Sequence, residues 1–413
     1  MTDLSATENG DLARDLKRAE RRRRLTAMML VAPLFLFLLV SFVLPIGDML
    51  RRSVIDTELA EAWPNAAAAA AAWDRRSDPT EAMYAALGRD LKASAEARTI
   101  AVPARRLNYA LDNGRSLVLN TGRALKKLDA EPANWRDALI AENPAWGDRM
   151  TWVALAAAAG PLTDFYLLTA TDLMRDATGS IVSRPAERSL YLQVLGRTFL
   201  VSFTVTVLCV LLGFPVSYLV ANAPDRIANL LLILVLLPFW TSLLVRSAAW
   251  IVLLQDQGIV NDVLRALHIT SEPIRLIFNR TGVVIAMTHV LLPFVIMPMI
   301  ATMKAIPPTY QRAAVSLGAH PAVAFVRVYL PQTVPGVAAG ALLVFIMALG
   351  YYVTPALVGG ADDQMLAYFI AFFTTSSANW GLAAALGVIL LSATMLLYLV
   401  YARIVGMGRV KLG

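Results

Sequence analysis

Residues 281–303, TGVVIAMTHVLLPFVIMPMIATM, form a block of 23 residues without Asp, Glu, Lys or Arg. An apolar helix needs about 20 residues to cross a hydrocarbon core roughly 30 Å thick, so this block is long enough to span a membrane. Backbone N–H and C=O groups find no water inside a bilayer and must be satisfied within the segment itself. The block therefore predicts a transmembrane α-helix.

Five further apolar blocks predict an all-α integral membrane protein with about six spans. The composition agrees, because 16% of the residues are charged whereas soluble domains carry about 25%. Residues 365–402 are too long for a single crossing, so 365–379 is expected to form a helix or loop at the outer surface. The other expected spans are 25–50, about 198–222, 227–254, 335–358 and 382–402.

Basic residues indicate the orientation of the chain. Seven of them lie in the N-terminal segment 1–24, directly before the first span. Over all short loops, fourteen basic residues fall on the side of the N-terminus and four on the other side. Because cytoplasmic loops carry the excess of Lys and Arg, both termini, including the tail 404–413, are predicted to be cytoplasmic. The chain is therefore expected to cross a cell membrane several times.

The net charge of +7 does not predict a nucleic-acid partner, because the basic run adjoins the first span. In that place it favours contact with anionic lipid headgroups. Cys209 is the single cysteine, and His268, His289 and His320 are widely separated. These residues exclude an intramolecular disulfide and do not predict a metal or haem site. No cofactor is expected.

Residues 51–190 differ from the rest of the chain, because they are rich in alanine, charge and turn signals. The crossing count places this insertion on the extracytoplasmic side. The patterns at 65–73 and 91–128 predict helices. Five tryptophans are too many for a solvated linker, so we expect a largely helical insertion that packs on the outer mouth or contacts a partner.

Residues 304–331, KAIPPTYQRAAVSLGAHPAVAFVRVYLP, directly follow the apolar block 281–303. Pro307 and Pro308 suit a helix start, where the missing N–H is not needed. Gly318 stands where a residue in the left-handed region would end that helix. His320 then occupies the cap position before Pro321, which begins a second helix. The segment predicts a compact helical hairpin that a soluble partner can hold by a helix-in-groove contact.

The same hairpin carries a pattern that resembles the EAA signature of type I ABC importer permeases: Ala313-Ala314-x3-Gly318-x9-Val328-x-Leu330-Pro331. The resemblance implies a MetI-like permease core over 191–403. It also implies that 304–331 is a coupling loop that docks on an ATPase subunit. Arg312 stands where the family usually has glutamate, so the usual acidic contact is missing. The coupling residues implied are Arg312, Ala313, Ala314, Gly318, His320, Leu330 and Pro331.

Two further segments resemble the polyamine (spermidine/putrescine) branch of that family, LPFWTSLLVRSAAW at 237–250 and ALGYYVTPALVGG at 348–360. They imply a small organic solute, polyamine-like or related. In that branch an acidic residue commonly lies near position 351, where this chain has Tyr351. The resemblance also implies a location in the inner membrane of a bacterial cell. It implies three kinds of partner: ABC ATPase subunits, a second permease subunit (homologous or identical) and an extracytoplasmic solute-binding protein.

Candidate residues for the pathway or gate are Arg246, Trp250, Tyr351, Tyr352 and Thr354. A charge within a span is a functional candidate, although an arginine near a helix end can also extend to the interface. The tyrosines can line the route through cation–π contacts or act as interface anchors. Three other features have structural readings that are favoured over functional ones. Gly213 and Pro215 are packing positions rather than a hinge, His289 is a hydrogen-bonded bundle residue, and Asp362 and Asp363 form a solvated turn.

Two other classes of function remain open from the residues alone. An ion-coupled secondary transporter predicts buried carboxylates near the midplane, but the interior of the predicted spans contains no Asp or Glu. A membrane-embedded enzyme would use the insertion as its catalytic domain, yet that segment has no histidine. No catalytic residue is therefore expected. The sequence also has no GxxxxGK[ST] loop, so ATP hydrolysis is expected in a separate subunit.

Overall fold

The computed structural model describes residues 4–406 of the chain, and the side chains of residues 19–403. The predicted cytoplasmic tail therefore lies, beyond Gly406, outside the described residues. Two compact units are distinguished, residues 1–52 and residues 53–413. Helices account for nearly all of the regular structure in both described parts, as the apolar blocks predict.

The N-terminal unit is one long helical segment. Helix α1 covers Leu4–Leu38, a π-helical turn covers Leu39–Val43, and α2 covers Leu44–Arg52. The part Ala19–Arg52 is long and apolar enough to cross a membrane. The predicted first span lies inside it, and the basic run before that span is also helical.

The insertion is a folded helical bundle followed by one small β-hairpin. Strands β1 (Leu173–Arg175) and β2 (Ile181–Ser183) pair antiparallel around a turn with Gly179 at φ +81°. The sequence analysis did not predict this hairpin, because three-residue strands are too short to show an alternating pattern. The helices of the insertion are α3 Glu58–Ala62, α4 Pro64–Ala71, α5 Glu81–Glu96, α6 Ala101–Asn108, α7 Gly114–Leu125, α8 Trp135–Glu142, α9 Arg149–Ala159 and α10 Phe165–Ala170.

All five tryptophans of the insertion are buried, so the prediction of a folded segment is correct. Three of their indole N–H groups are satisfied inside the core. Trp63 donates to Ser94 Oγ at 2.9 Å, Trp146 donates to Thr121 Oγ1 at 2.8 Å, and Trp152 donates to the Trp146 carbonyl at 2.9 Å. Buried indoles with partners combine a large apolar surface with a satisfied polar atom, which explains how a small helical bundle is held together.

The insertion is joined tightly to the transmembrane bundle. The Asp172 carboxylate accepts hydrogen bonds from the backbone N–H groups of Leu190, Tyr191 and Leu192 at 3.0, 3.0 and 2.7 Å. These groups lie at the start of the next helix, where a carboxylate also offsets the positive end of the helix dipole. One insertion side chain therefore caps the first helix of the bundle.

The bundle begins with α11 and ends with α21. Its members are α11 Tyr191–Asn222, α12 Asp225–Leu236, α13 Leu243–Leu254, α14 Ile259–Ala266, α15 Arg280–Lys304, α16 Thr309–Ser316, α17 Pro321–Ala324, α18 Leu330–Leu349, α19 Val353–Val358, α20 Leu366–Thr375 and α21 Trp380–Gly406. Within residues 4–406, six helical segments are long and apolar enough to cross a membrane. This number agrees with the prediction. They are 19–52, 191–222, 243–266, 280–304, 321–349 and 380–403.

Three predicted span boundaries differ from the structure. The segment 227–254 is not one helix, because a 3₁₀ turn at Leu237–Trp240 separates α12 from α13. Pro238 has no N–H for a continuing helix, and Ser242 Oγ then caps α13 by accepting from the Val245 N–H at 3.2 Å. The fifth span ends at Leu349 rather than 358, and 353–358 forms the separate helix α19. The second span starts at Tyr191, seven residues before its predicted start.

Helix α15 lies at the centre of the bundle, and glycines bring its neighbours close. A Cβ atom at Gly340 of α18 would lie 2.9 Å from the Val295 carbonyl oxygen, and one at Gly213 of α11 would lie 2.9 Å from a Val295 methyl carbon. Small residues let membrane helices approach closely. Gly213 is thus a packing position, and α11 continues unbroken through Pro215.

Replacement of Gly340 by alanine is expected to destabilise the bundle, because the new methyl group meets backbone atoms of α15 that cannot move aside. Overpacking of this kind costs roughly 1–3 kcal/mol. The measurement is the melting temperature of the detergent-purified protein. Gly196→Ala is the matched control, because nothing lies within 4 Å of its added Cβ, and its melting temperature should be unchanged or slightly higher. Equal melting temperatures for the two variants would contradict the packing argument.

Candidate transport pathway and coupling segment

The segment 304–331 forms the predicted helical hairpin. Helix α16 ends in a Schellman motif, in which the Gly318 N–H donates to the Val315 carbonyl at 2.9 Å and the Ala319 N–H donates to the Ala314 carbonyl at 3.1 Å. Gly318 has φ +93°, a left-handed conformation that favours glycine. His320 Nδ1 then accepts from the Ala322 N–H at 3.3 Å and caps α17. Both the turn and the cap match the sequence prediction.

Several apolar side chains of this hairpin are exposed. Leu317, at the turn after α16, is 89% exposed, and Tyr310, Val323 and Val326 elsewhere on the hairpin are also exposed. None of the residues of α16 is buried. Exposed apolar side chains of this kind make the hairpin a candidate interaction site.

Arg312 lies beside a cavity of about 470 Å³ that opens between α16 and α17. The side chain is exposed, so its charge is accessible from outside the hairpin. The cavity wall includes Tyr218, Gln311, Arg312, Val315, Pro321 and Phe325.

An aromatic contact joins the hairpin to the bundle. The ring of Tyr218 on α11 lies 5.5 Å from Phe325 and 5.6 Å from Tyr329, and the latter two rings are stacked at 5.5 Å. Phe325 and Tyr329 bound a π-helical turn between α17 and α18. Sequence analysis missed these residues, because aromatic side chains in an apolar stretch carry no signal that identifies their partners.

A second group of polar side chains lies within the membrane-spanning part, and we call it the polar cluster. Trp250 of α13 donates its indole N–H to His289 Nδ1 of α15 at 3.2 Å, and their ring centroids are 5.3 Å apart. The hydroxyls of Ser247 and Thr354 are 3.0 Å apart and buried. The polar cluster comprises Arg246, Ser247, Trp250, His289, Tyr351 and Thr354.

Arg246 and Tyr351 complete the polar cluster. Arg246 lies one turn before Trp250 on the same face of α13, and Tyr351 lies three residues before Thr354. The structure thus brings together four of the five predicted pathway residues. Tyr352 is exposed, and no hydrogen bond described within residues 19–403 joins its side chain to the others.

Arg246 lies near a helix end, but at the start of α13 rather than late in one long third helix. Because the chain breaks before α13, Arg246 belongs to the first turn of that helix, and eight residues follow it before the helix ends at Leu254. His289, which Trp250 contacts, lies nine residues after the start of α15, which corresponds to about 14 Å at 1.5 Å per residue. The contact between Trp250 and His289 therefore lies within the span.

Sequence analysis did not assign His289 and Ser247 to the pathway. Its reading of His289 as a hydrogen-bonded bundle residue is nevertheless correct, since the ring accepts the Trp250 N–H. A signal for Ser247 was present in the sequence: it lies between Arg246 and Trp250, whose i, i+4 spacing places those two on one helix face.

Charges also meet at the end of the bundle where α15 begins. Arg280 pairs with Asp363 at 3.2 Å, and Asp363 also accepts the Gly360 N–H at 3.3 Å. The carboxyl group of Asp363 is buried, so the expectation of a solvated turn is wrong for this residue. Asp362 is exposed, as expected. The turn is structural because its carboxylate holds the loop before α20 against α15.

Comparison with known proteins places residues 213–406 in the family described as binding-protein-dependent transport system inner membrane component. The spermidine/putrescine transport system permease protein PotB of Salmonella typhimurium is 33% identical over 214 residues, which cover 52% of this chain and 75% of that protein. PotB of Haemophilus influenzae is 36% identical with the same coverage. A crystal structure of a bacterial alginate ABC transporter with a periplasmic protein superposes with a TM-score of 0.42, at 18% identity, over 52% of this chain and 77% of its own.

Replacement of Trp250 by phenylalanine is expected to lower the melting temperature of the purified protein. The change leaves His289 Nδ1 without its donor inside the span, and an unsatisfied buried polar group costs about 1–3 kcal/mol. Trp240→Phe is the matched control, because Trp240 is 72% exposed. A fall of similar size in both variants would show that lost aromatic surface, and not the hydrogen bond, is responsible.

Proposed function

We infer the function of this chain from its family, because the chain belongs to the binding-protein-dependent transport system inner membrane components. It is the permease subunit of an ATP-binding cassette importer and a multi-pass protein of the inner membrane. We propose that it forms the membrane pathway for a small organic solute, and that an extracytoplasmic binding protein delivers this solute. The proposal includes a second permease subunit, identical or homologous, and ATPase subunits that hydrolyse ATP.

The observation that carries the coupling role is the exposed apolar tip of the 304–331 hairpin. A helix with Leu317 at its end suits insertion into a groove on an ATPase subunit. Residues 321–349 continue from the hairpin into α18, and Tyr218 ties the same region to α11. Closure of the ATPase dimer would therefore move α11 and α18 together, which is how a rigid-body change between inward-open and outward-open states arises.

Arg312 bears on the identity of the ATPase. Its exposed guanidinium adjoins the cavity between α16 and α17, so an acidic side chain on the partner fits this position. An arginine pairs with a carboxylate through two parallel hydrogen bonds. The proposed contact is thus an ion pair in which the permease supplies the positive charge and the ATPase supplies the carboxylate.

The names of the PotB relatives make spermidine and putrescine the first solutes to test. We place the route along the face that carries the polar cluster, with Arg246, Trp250, Tyr351 and Thr354 as its residues. Tyr352 stays a candidate for the mouth, since it is exposed next to α19. The insertion is proposed to lie outside the cell membrane, on the delivery side of the pathway.

An ion-coupled secondary transporter is the rival function. It would transport solute without an ATPase, driven by a proton or sodium gradient. Uptake by cells depleted of ATP but with an imposed ion gradient would support the rival. Loss of uptake on ATP depletion, together with co-purification of an ATPase, supports the importer.

Substitution of Leu317 by glutamate is expected to reduce co-purification of the ATPase at least tenfold, because a charge at the apolar tip would have to be buried without a partner. Assembly is measured by affinity capture of the permease from cells that express the full complex. The control is Leu162→Glu, the same substitution at a leucine of the insertion that is 72% exposed. Normal ATPase recovery with Leu317→Glu would exclude the hairpin tip as the docking surface.

The proposed orientation is tested with single cysteines. Cys209 is the single cysteine of the sequence, so in a Cys209→Ser background the introduced cysteine carries the only thiol. Ala97→Cys in the insertion is expected to react with a membrane-impermeant maleimide in intact spheroplasts. Ser316→Cys in the hairpin should react only after the membrane is permeabilised, because both 97 and 316 are exposed but are proposed to face opposite sides. Labelling of both in intact spheroplasts would contradict the topology.

A further inference from the structure

Arg246 carries a positive charge within the membrane-spanning segment 243–266, and no described side chain neutralises this charge. Among the side chains of residues 19–403, none forms an ion pair with it, and its Nε atom is shielded from solvent without a hydrogen-bond partner. Arg280, at the end of the bundle, is by contrast paired with Asp363 at 3.2 Å. The bundle therefore supplies a carboxylate to Arg280 but none to Arg246.

The groups around Arg246 offer further hydrogen-bond donors. An indole N–H can only donate, so the 3.2 Å contact from Trp250 makes His289 Nδ1 an acceptor. The proton of the neutral imidazole is then on Nε2, which remains the donor of that ring. Ser247 and Thr354 satisfy each other. Helices α11, α13, α15, α18 and α21 contain no Asp or Glu, and Asp256 and Asp262 come after α13 in the segment 243–266. The polar cluster thus has a net positive charge and nothing anionic to hold a cation.

Charged side chains inside a membrane are costly, and they are retained where they pair or serve a pathway. A cation without a partner attracts an anionic group and repels a second cation, and both effects are strong where water is scarce. A solute with two or three positive charges would meet this repulsion at Arg246. A solute with a carboxylate group would instead supply the missing counter-charge.

We propose that the polar cluster binds a carboxylate group of the solute in transit, so that the cargo is an organic anion or a zwitterion rather than a polyamine. This inference rests on the proposed function as an importer permease. Arginine suits the role because its planar guanidinium presents paired N–H donors that match the two oxygens of a carboxylate. His289 Nε2–H and the Tyr351 hydroxyl are further donors of the same polar cluster. The cluster therefore recognises the charged end of the solute and leaves the rest of the molecule to other surfaces.

The test uses the complete transporter, reconstituted into liposomes with its ATPase, permease partner and binding protein. Four probes are compared at equal concentration: putrescine (a dication), 4-aminobutyrate (a zwitterion), succinate (a dianion) and sulfate (an inorganic anion). We expect ATP-dependent uptake of a carboxylate probe to exceed that of putrescine at least tenfold. Uptake of sulfate above both carboxylates would overturn the assignment of a carboxylate group.

Variants at position 246 tie the result to the polar cluster. Arg246→Gln should reduce uptake of the carboxylate probe at least tenfold. Arg246→Lys should retain part of the uptake, because lysine keeps the positive charge but lacks the paired N–H donors of the guanidinium. Arg265→Gln is the matched control: that arginine lies on α14 outside the polar cluster and pairs with Asp262. Co-purification of the ATPase and the second permease is measured for each variant, so that misassembly is recognised.

Three further outcomes would overturn the inference. The first is ATP-dependent uptake of putrescine that equals or exceeds that of the carboxylates. The second is normal carboxylate uptake in Arg246→Gln. The third is an Arg246→Gln variant that loses only its permease partner, since Arg246 would then pair with a carboxylate of that subunit. Uptake of any of the four probes without ATP would contradict the proposed function as an ATP-driven importer. Failure of the importer proposal is therefore distinguished from failure of the carboxylate proposal.

Discussion

The close contact between α15 and its two neighbours is the constraint on which the rest of the structure depends. Glycines on α11 and α18 both face Val295, and a side chain at either position would force the helices apart. Inside a bilayer there is no hydrophobic gain from burying one apolar helix against another, so association depends on shape and close packing. The glycines thus determine where α11 and α18 lie, and through them the position of both functional regions.

The hairpin lies at one end of these helices, and the polar cluster includes residues within the span. The 304–331 hairpin connects the end of α15 to the start of α18, and the aromatic contact with Tyr218 adds α11 to this connection. The polar cluster includes His289 of α15 and Thr354, which follows α18 in α19. A displacement of the hairpin is transmitted along rigid helices to the groups that we propose contact the solute. Packed helices with discrete arrangements are the usual carriers of such coupling.

The insertion adds a third fixed element. Inside it Arg106 is fully buried and pairs with Asp56, whose carboxylate also accepts the Tyr166 hydroxyl at 3.1 Å. Burial raises the pKa of Tyr166, so its hydroxyl stays protonated and keeps donating even where a free tyrosine would ionise. Tyr166 in turn lies against Gly381 at the start of α21, and Asp172 caps α11. The insertion is therefore held to α11 by hydrogen bonds and to α21 by close packing.

The sequence by itself determined the features that depend on residues close together along the chain. Apolar blocks predicted the spans, and Pro307, Gly318 and His320 predicted a helical hairpin, because start, stop and cap signals act over a few residues. Tertiary structure decided the early end of α18 and the polar cluster, which joins Ser247 to Thr354 across 107 residues. Lipid-facing and protein-facing residues of a membrane helix are equally apolar, so no pattern shows which faces meet. The choice is made by steric fit at glycines such as Gly340, and that fit exists only once the helices are packed.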